Sequence, residues 1–325
     1  MPVLVTGASG FVGSLLLPRL LAAGVPVRAL GRDPEHTSEV LEQRIDAEEV
    51  EIVRGDAFRG EGLDRALAGV DVAYYLIHSM ESSTARSAHF AEHERVSAEN
   101  FAAAAARSGV RRIVYLGGLV PQWSDTREAG RQASPAPGST HLASRAQVER
   151  ILLAAVPGSV ALRASIVIGA RSRSFRLLVR LVERMPVLTL PPWRRFRTQP
   201  IDQRDVIEML AACMTAPLEG RTLDVGGPDV LSYGEMLARI ADSMLVGRPA
   251  LSLAVNLTPV AARVAAAIAG EDPGLVLPLM EGLQGDLLPA EDHAAELLGV
   301  RLHSFDSAVE HALAEWEEYE PLAAR

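Results

Sequence analysis

Val3-Leu4-Val5-Thr6-Gly7-Ala8-Ser9-Gly10-Phe11-Val12-Gly13 is the stretch whose reading decides the fold. A short apolar run leads at once into three glycines spaced three apart, which reads as a strand, a tight turn and a helix start. In that geometry Gly7 allows the turn, Gly10 lets a pyrophosphate approach the backbone, and Gly13 lets the helix lie close on the sheet. The helix N-terminus then faces the phosphates. Glycine serves turns whether or not anything binds there, so the context carries weight. An amphipathic stretch from Phe11 to Ala23 follows and stops at Gly24, as a helix C-terminus should. The reading is a dinucleotide site with Gly7, Ser9, Gly10, Phe11, Val12 and Gly13 around the nucleotide. Pro18 conflicts with the helix, since it removes one hydrogen bond at a cost of about 3 kcal/mol unless the helix bends.

Working outward, strand and helix signals alternate. Apolar runs at Val25–Leu30, Val50–Arg54, Val72–Ile77, Arg112–Leu116 and Val160–Ile168 are separated by helical periods at Glu35–Ile45, Gly62–Ala68, His89–Arg107 and Ser139–Ala155. Such alternation predicts βαβ units in a doubly wound, parallel α/β sheet. The segment Pro121–Ser139 interrupts the rhythm with a long irregular loop, of the kind that often carries function. After Gly169 the alternation gives way to helices with Pro-rich connections. We therefore expect a nucleotide-binding domain over 1–169 and a smaller, mainly helical substrate lobe over 170–325, with a return strand near 221–225.

The chain has 325 residues, 48% of them hydrophobic, enough for a large core. Its formal charge of −9 argues against a nucleic-acid surface, which needs clustered cations. The single cysteine, Cys213, excludes an internal disulfide and suits a reducing compartment. With a core strand so near the N-terminus, the expectation is a cytoplasmic protein. The most membrane-like segment, Leu251–Ala269, is interrupted by Asn256, Pro259 and Arg263 and reads as buried or pocket-lining helix, so no membrane partner is expected.

The opening glycine motif, Gly55-Asp56, Tyr74-Tyr75-Leu76-Ile77-His78-Ser79, Arg112-Ile113-Val114-Tyr115-Leu116-Gly117-Gly118-Leu119 and Leu162-Arg163-Ala164-Ser165-Ile166-Val167-Ile168-Gly169 together resemble the short-chain dehydrogenase/reductase superfamily. The likeness is to its extended and atypical branch of NAD(P)-binding, NmrA-like and nucleoside-diphosphate-sugar-epimerase-like proteins. It implies a Rossmann-like fold, Asp56 and Ala57 near the adenine, and His78, Gly117 and Gly118 over the cofactor. At the end of the second strand, where an NAD enzyme normally carries a carboxylate for the ribose 2′-OH, this chain has Gly31-Arg32. Arg32 offers planar, charge-assisted donors to a 2′-phosphate, so NADP(H) is preferred, while Asp33 keeps NAD(H) open.

The resemblance fails at the catalytic pair. Where typical members carry Tyr-x-x-x-Lys, this chain has His141-Leu142-Ala143-Ser144-Arg145, and Gly117-Gly118 stands where a catalytic serine is common. One reading is a reductase of an electron-poor carbonyl, enone or quinone, with His141 as proton donor and Arg145 steadying an oxyanion or the cofactor. The bland alternative is that His141 packs at the helix start and Arg145 pairs with Glu149 at i,i+4. A second reading is a non-catalytic NADP(H) sensor, and a third a sugar-nucleotide epimerase or dehydratase, which lacks an obvious base here. The C-terminal lobe, rich in Leu, Val, Pro and Met, suits an apolar or aromatic small molecule. Monomer and homodimer both remain open. His89 and His93 share a helical turn without a third ligand at motif spacing, so no metal is expected. The arginines from Arg171 to Arg184 read as the outer face of an amphipathic helix.

Overall fold

Seven parallel strands build the central sheet of the described residues. The computed structural model describes residues 2–78, 87–119, 140–190, 192–252 and 285–322. In chain order the strands are β1 (Val3–Thr6), β2 (Val27–Gly31), β3 (Val50–Arg54), β4 (Val72–Tyr75), β5 (Arg112–Gly118), β6 (Val160–Ala164) and, after a long excursion, β11 (Thr222–Val225). Across the sheet they lie in the order β11-β6-β5-β4-β1-β2-β3, which reverses at β1, paired with β2 through Val3↔Val27 and with β4 through Leu4↔Ala73. Every pairing is parallel, and β11 adds to β6 at the far edge.

Side-chain alternation along these strands fills both faces. Val3, Val5 and Tyr74 pack with Leu16, Leu17 and Leu20 of α1 (Phe11–Ala22) and with Met209 and Leu210 of α7 (Gln203–Ala212). Leu4, Ala73, Tyr75 and Tyr115 face the opposite layer, where Phe101 of α4 (Ser87–Arg107) and Val148 and Leu152 of α5 (Thr140–Ala155) close the core. Burial on both faces is why the strands read as unbroken apolar runs. Thr6 fastens the middle of the sheet: its hydroxyl donates to Tyr74 O at 3.0 Å and accepts from Leu76 N at 3.1 Å. α1 runs through Pro18.

The sequence reading is corrected in three places. The single strand expected over Val160–Ile168 is broken after Ala164. Residues Val167–Ile168 (β7) leave the main sheet and pair instead with Ile201–Asp202 (β10). The helix after β2 is shorter than expected, α2 covering Pro34–Glu42. The arginine-rich helix α6 (Arg173–Arg184) does not turn all its charges outward. Arg180 and Glu183 are buried in an ion pair, with Glu320 completing it, and the Arg176 and Arg180 guanidiniums lie 4.6 and 5.0 Å from the Trp316 ring centre. A second core forms here from α6, α8 (Tyr233–Ser243) and the C-terminal helix Phe305–Glu317. The segments Pro121–Ser139, with Trp123, and most of Leu251–Ala269 lie outside the described residues.

A methyl group at Gly13 would stand 2.2 Å from Gly7 O, backbone that cannot yield, whereas one at Gly24, at φ +72°, would meet nothing within 4 Å. Gly13→Ala is therefore expected to destabilise by about 3 kcal/mol or more, and Gly24→Ala by only about 1 kcal/mol of left-handed strain. Urea unfolding of the two variants beside the parent chain measures the difference.

Candidate cofactor and active site

The sheet order places the ends of β1, β4 and β5 side by side, and the crevice beyond the carboxyl ends of such strands is where open α/β sheets bind ligands. Gly7 turns the chain at φ +63°, and its hydrogen faces Leu76 O, where a methyl would stand at 2.7 Å. Gly10 N donates to Gly7 O at 2.9 Å, and Gly10 then becomes the N-cap of α1 with no side-chain cap and no acid in the first turn. The first amides of α1 are thus left for an outside acceptor, beside an exposed Gly10 and half-buried Ser9, Phe11 and Val12. A methyl at Gly10 or Gly13 would stand 3.0 or 2.2 Å from Gly7 O, so both glycines keep the turn and the helix start close, and the free amides suit a pyrophosphate.

The nucleotide end is built by two turns. At the end of β2, a methyl at Gly31 would stand 2.3 Å from Thr37 Oγ1, which itself donates to Asp33 O. Glycine is the residue that fits, and the usual strand-end carboxylate has no room there. Arg32 follows, exposed. Asp33 Oδ1 is already occupied as the cap of α2, accepting from Glu35 N at 3.1 Å and His36 N at 3.2 Å. After β3, Asp56 Oδ1 accepts from Phe58 N and Arg59 N, and its backbone pairs with Glu61. Asn100 of α4 holds the same turn by donating to Ala57 O and Phe58 O, and Phe58 stacks on His93 with ring centres 3.9 Å apart. Sequence reasoning missed Asn100 and Phe58; their side chains meet the turn only through tertiary packing.

The reacting end brings His78, Gly118 and Arg145 together. Arg145, half-buried on α5, places Nη1 3.5 Å from where a methyl at Gly118 would sit, so a serine side chain would fit at Gly118 beside it. At Gly117 a methyl would press on the Tyr115 ring at 2.9 Å. The expected alternative pairing of Arg145 with Glu149 does not form. Both Glu149 oxygens are taken at 2.8 Å, Oε2 by Arg163 Nε and Oε1 by Arg163 Nη2 and Thr222 Oγ1. Half-buried His78 has its pKa pushed down to about 3, first by burial and then by the Arg145 charge, so its ring stays neutral near pH 7. Tyr115 is no substitute for the absent tyrosine. Its buried hydroxyl donates to Arg145 O at 3.4 Å, and burial raises its pKa, the opposite of what a proton donor needs.

His141 lies in the first turn of α5, with its side chain outside the described residues, as is that of His89. Ser144, between the two motif positions, donates to the buried Glu94 of α4 at 3.3 Å. Among the described residues no group of three or more His, Cys, Asp or Glu is placed to hold a metal ion, and no helix is long and apolar enough to cross a membrane.

A histidine with a folded pKa near 3 and an unfolded pKa near 6.5 binds fewer protons folded than unfolded between those values. Its contribution to stability is therefore present above about pH 6.5 and is lost as pH falls toward 3. The His78 ring resonances, followed by NMR, are expected to show no titration between pH 5 and 8. A midpoint near 6.5 would mean that the ring is solvated and lies away from the Arg145 charge.

Residues 7–156 match a family model described as NAD(P)H-binding. The chain is 28% identical over 253 residues to a (4-alkanoyl-5-oxo-2,5-dihydrofuran-3-yl)methyl phosphate reductase of Streptomyces griseus, covering 76% of this chain and 74% of that protein. It is 30% identical over 183 residues to a 4-hydroxy-2-methyl-3-oxo-4-farnesyl-3,4-dihydroquinoline-1-oxide ketoreductase of Stigmatella aurantiaca, covering 54% and 53%. Its fold is similar to UDP-glucuronic acid 4-epimerase of Bacillus cereus, solved with UDP-glucuronic acid and NAD, at a TM-score of 0.73 over 98% of this chain and 100% of that one, with 17% identity. The reversed strand order and the glycine cradle agree with these likenesses, which are to NAD(P)H-binding proteins and to a Rossmann-like fold.

Proposed function

We propose that this NAD(P)-dependent oxidoreductase prefers NADPH and reduces an electron-poor carbonyl compound, enone or quinone bound against its C-terminal lobe. The observation that carries the reading is the Arg145 guanidinium lying against Gly118 beside a neutral His78, where the family places its proton relay. The cofactor supplies hydride; the chain's own groups orient the reactants. The amides at the start of α1 bind pyrophosphate, Arg32 binds the 2′-phosphate, and Asp56 and Ala57 flank the adenine. His78, Gly117 and Gly118 border the nicotinamide. Arg145 steadies negative charge on the substrate oxygen, and the proton comes from water or His141. Relatives named as a reductase of an acyl-dihydrofuranone phosphate and a ketoreductase of an oxo-dihydroquinoline support this substrate range.

The cofactor preference follows from the β2 end. Gly31 leaves no room for a strand-end acid, and Asp33 is committed to its cap. An arginine–phosphate contact is worth about 1.5–3 kcal/mol, so Arg32→Ser is expected to lower the NADPH/NADH ratio of binding constants roughly ten- to hundredfold. Titration of both cofactors by fluorescence checks it.

Turnover is tested by loss of NADPH absorbance with purified protein and a panel of quinones, enones, polycyclic aromatic ketones and sugar nucleotides. Saturable oxidation with one of the first three groups is the expected result. Tight NADPH binding without oxidation across the panel would favour the sensor reading instead.

A further inference from the structure

A site without a tyrosine donor discriminates between two kinds of reduction, because they put negative charge in different places. Hydride addition to an isolated ketone leaves an alkoxide, a strong base that needs a proton in the same step. Hydride addition to the far carbon of an α,β-unsaturated carbonyl leaves an enolate, with charge shared between oxygen and carbon. A fixed cation stabilises that enolate without surrendering a proton. A guanidinium is such a cation, since it offers five N–H donors and keeps its charge at any pH where the protein folds.

The chain places that cation at the end of β5 and directs the nearby carboxylate elsewhere. Arg145 Nη1 lies 3.5 Å from the methyl position of Gly118, and Glu149, one turn along α5, is held by Arg163 and Thr222. Among the described residues Arg145 forms no ion pair, although most of the arginines there that lie on helices do. Neither Gly117 nor Gly118 supplies a hydroxyl, and the nearest tyrosine, Tyr115, has its hydroxyl turned to the Arg145 carbonyl under α5. Among the described residues the site therefore offers a fixed positive charge and no free hydroxyl donor, which suits an enolate better than an alkoxide.

We propose that this site reduces the carbon–carbon double bond of an α,β-unsaturated ketone or lactone by conjugate addition, with the Arg145 guanidinium binding the enolate oxygen; this rests on the oxidoreductase reading above. In the balanced reaction one hydride passes from the reduced nicotinamide to the β-carbon, and the carbon–carbon π pair shifts so that the carbonyl oxygen takes the negative charge. The cofactor is left oxidised. The α-carbon then takes one proton from water, and no protein group changes its protonation state.

The test uses the full chain saturated with NADP and dimedone, a cyclic 1,3-diketone that is an enolate at neutral pH, with calorimetry as the binding readout. Dimedone is expected to bind at least tenfold more tightly than its neutral methyl enol ether. Arg145→Gln is expected to erase that difference, and Arg145→Lys to restore part of it. Equal binding of dimedone and its ether to the parent chain would overturn the proposal without relying on any variant. In a second arm, NADPH deuterated at the transferred position is supplied with cyclohexenone, an acylbutenolide, cyclohexanone and acetophenone. Deuterium at the β-carbon supports the proposal. Deuterium on a carbinol carbon overturns it while leaving the reductase reading intact, and no NADPH consumption with any acceptor counts against both.

Discussion

The structure depends on one close approach, that of helix α1 to the turn that precedes it. Where a Gly13 side chain would begin, the Gly7 carbonyl already stands, so the helix sits as near the end of β1 as backbone allows. That proximity points the uncapped N-terminus of α1 over the carboxyl ends of the strands, and α7 packs beside it, with Arg19 of α1 joined to Glu208 of α7 at 2.6 Å. Gly7 in turn lies against the Leu76 carbonyl, and Thr6 binds the same stretch of β4, so the phosphate cradle and the strand end that carries His78 are positioned by shared atoms. Cofactor cradle and reacting end are therefore one rigid construction.

Arginine chemistry runs through the rest of the molecule and separates structural cations from Arg145. Arg112, largely buried at the start of β5, donates to the carbonyls of Gly158, Cys213 and Ala216 at 2.8–2.9 Å, closing the C-terminal end of α7. Arg248 does the same for α6 through Val182 O and Glu183 O. Carbonyls at a helix C-terminus carry partial negative charge, so these cations are neutralised where they sit. Cys213, whose carbonyl Arg112 holds, is fully buried, and burial pushes its thiol up to about 12, so it takes part as a small apolar side chain.

What the sequence made legible was local or periodic. The glycine spacing of residues 7–13 carried the turn, the cradle and the helix start, and the apolar runs carried the parallel sheet, because burial on both faces leaves no alternation to misread. What stayed hidden was decided by partners far away in the chain. The break between β6 and β7 exists because Val167 and Ile168 find Ile201 and Asp202, not the main sheet. Arg180 read as an outer-face charge because Trp316 and Glu320, which cover and complete its pair with Glu183, lie far along the chain. The i,i+4 pair of Arg145 and Glu149 is sound helix reasoning, but it lost to an arginine on the neighbouring strand and a threonine on the edge strand. Asp33, one position past the strand end, was legible as an acid but not as a cap until α2 was seen to begin at Pro34.

Gly169, just beyond β7, shows how little independence the two halves have. A methyl there would stand 2.0 Å from Gln203 Oε1 and 2.8 Å from the Phe11 ring, so the first residue of α1, the first of α7 and the end of β7 meet at a point with space for a hydrogen alone. Gln203 continues the connection by donating to Glu315 on the C-terminal helix, which Arg44 also grips at 2.7 Å. The stretches before and after residue 169 are thus not modules that recombination can exchange at that point. A functional chimaera with a relative would have to inherit Phe11, Gly169, Gln203 and Glu315 from the same parent.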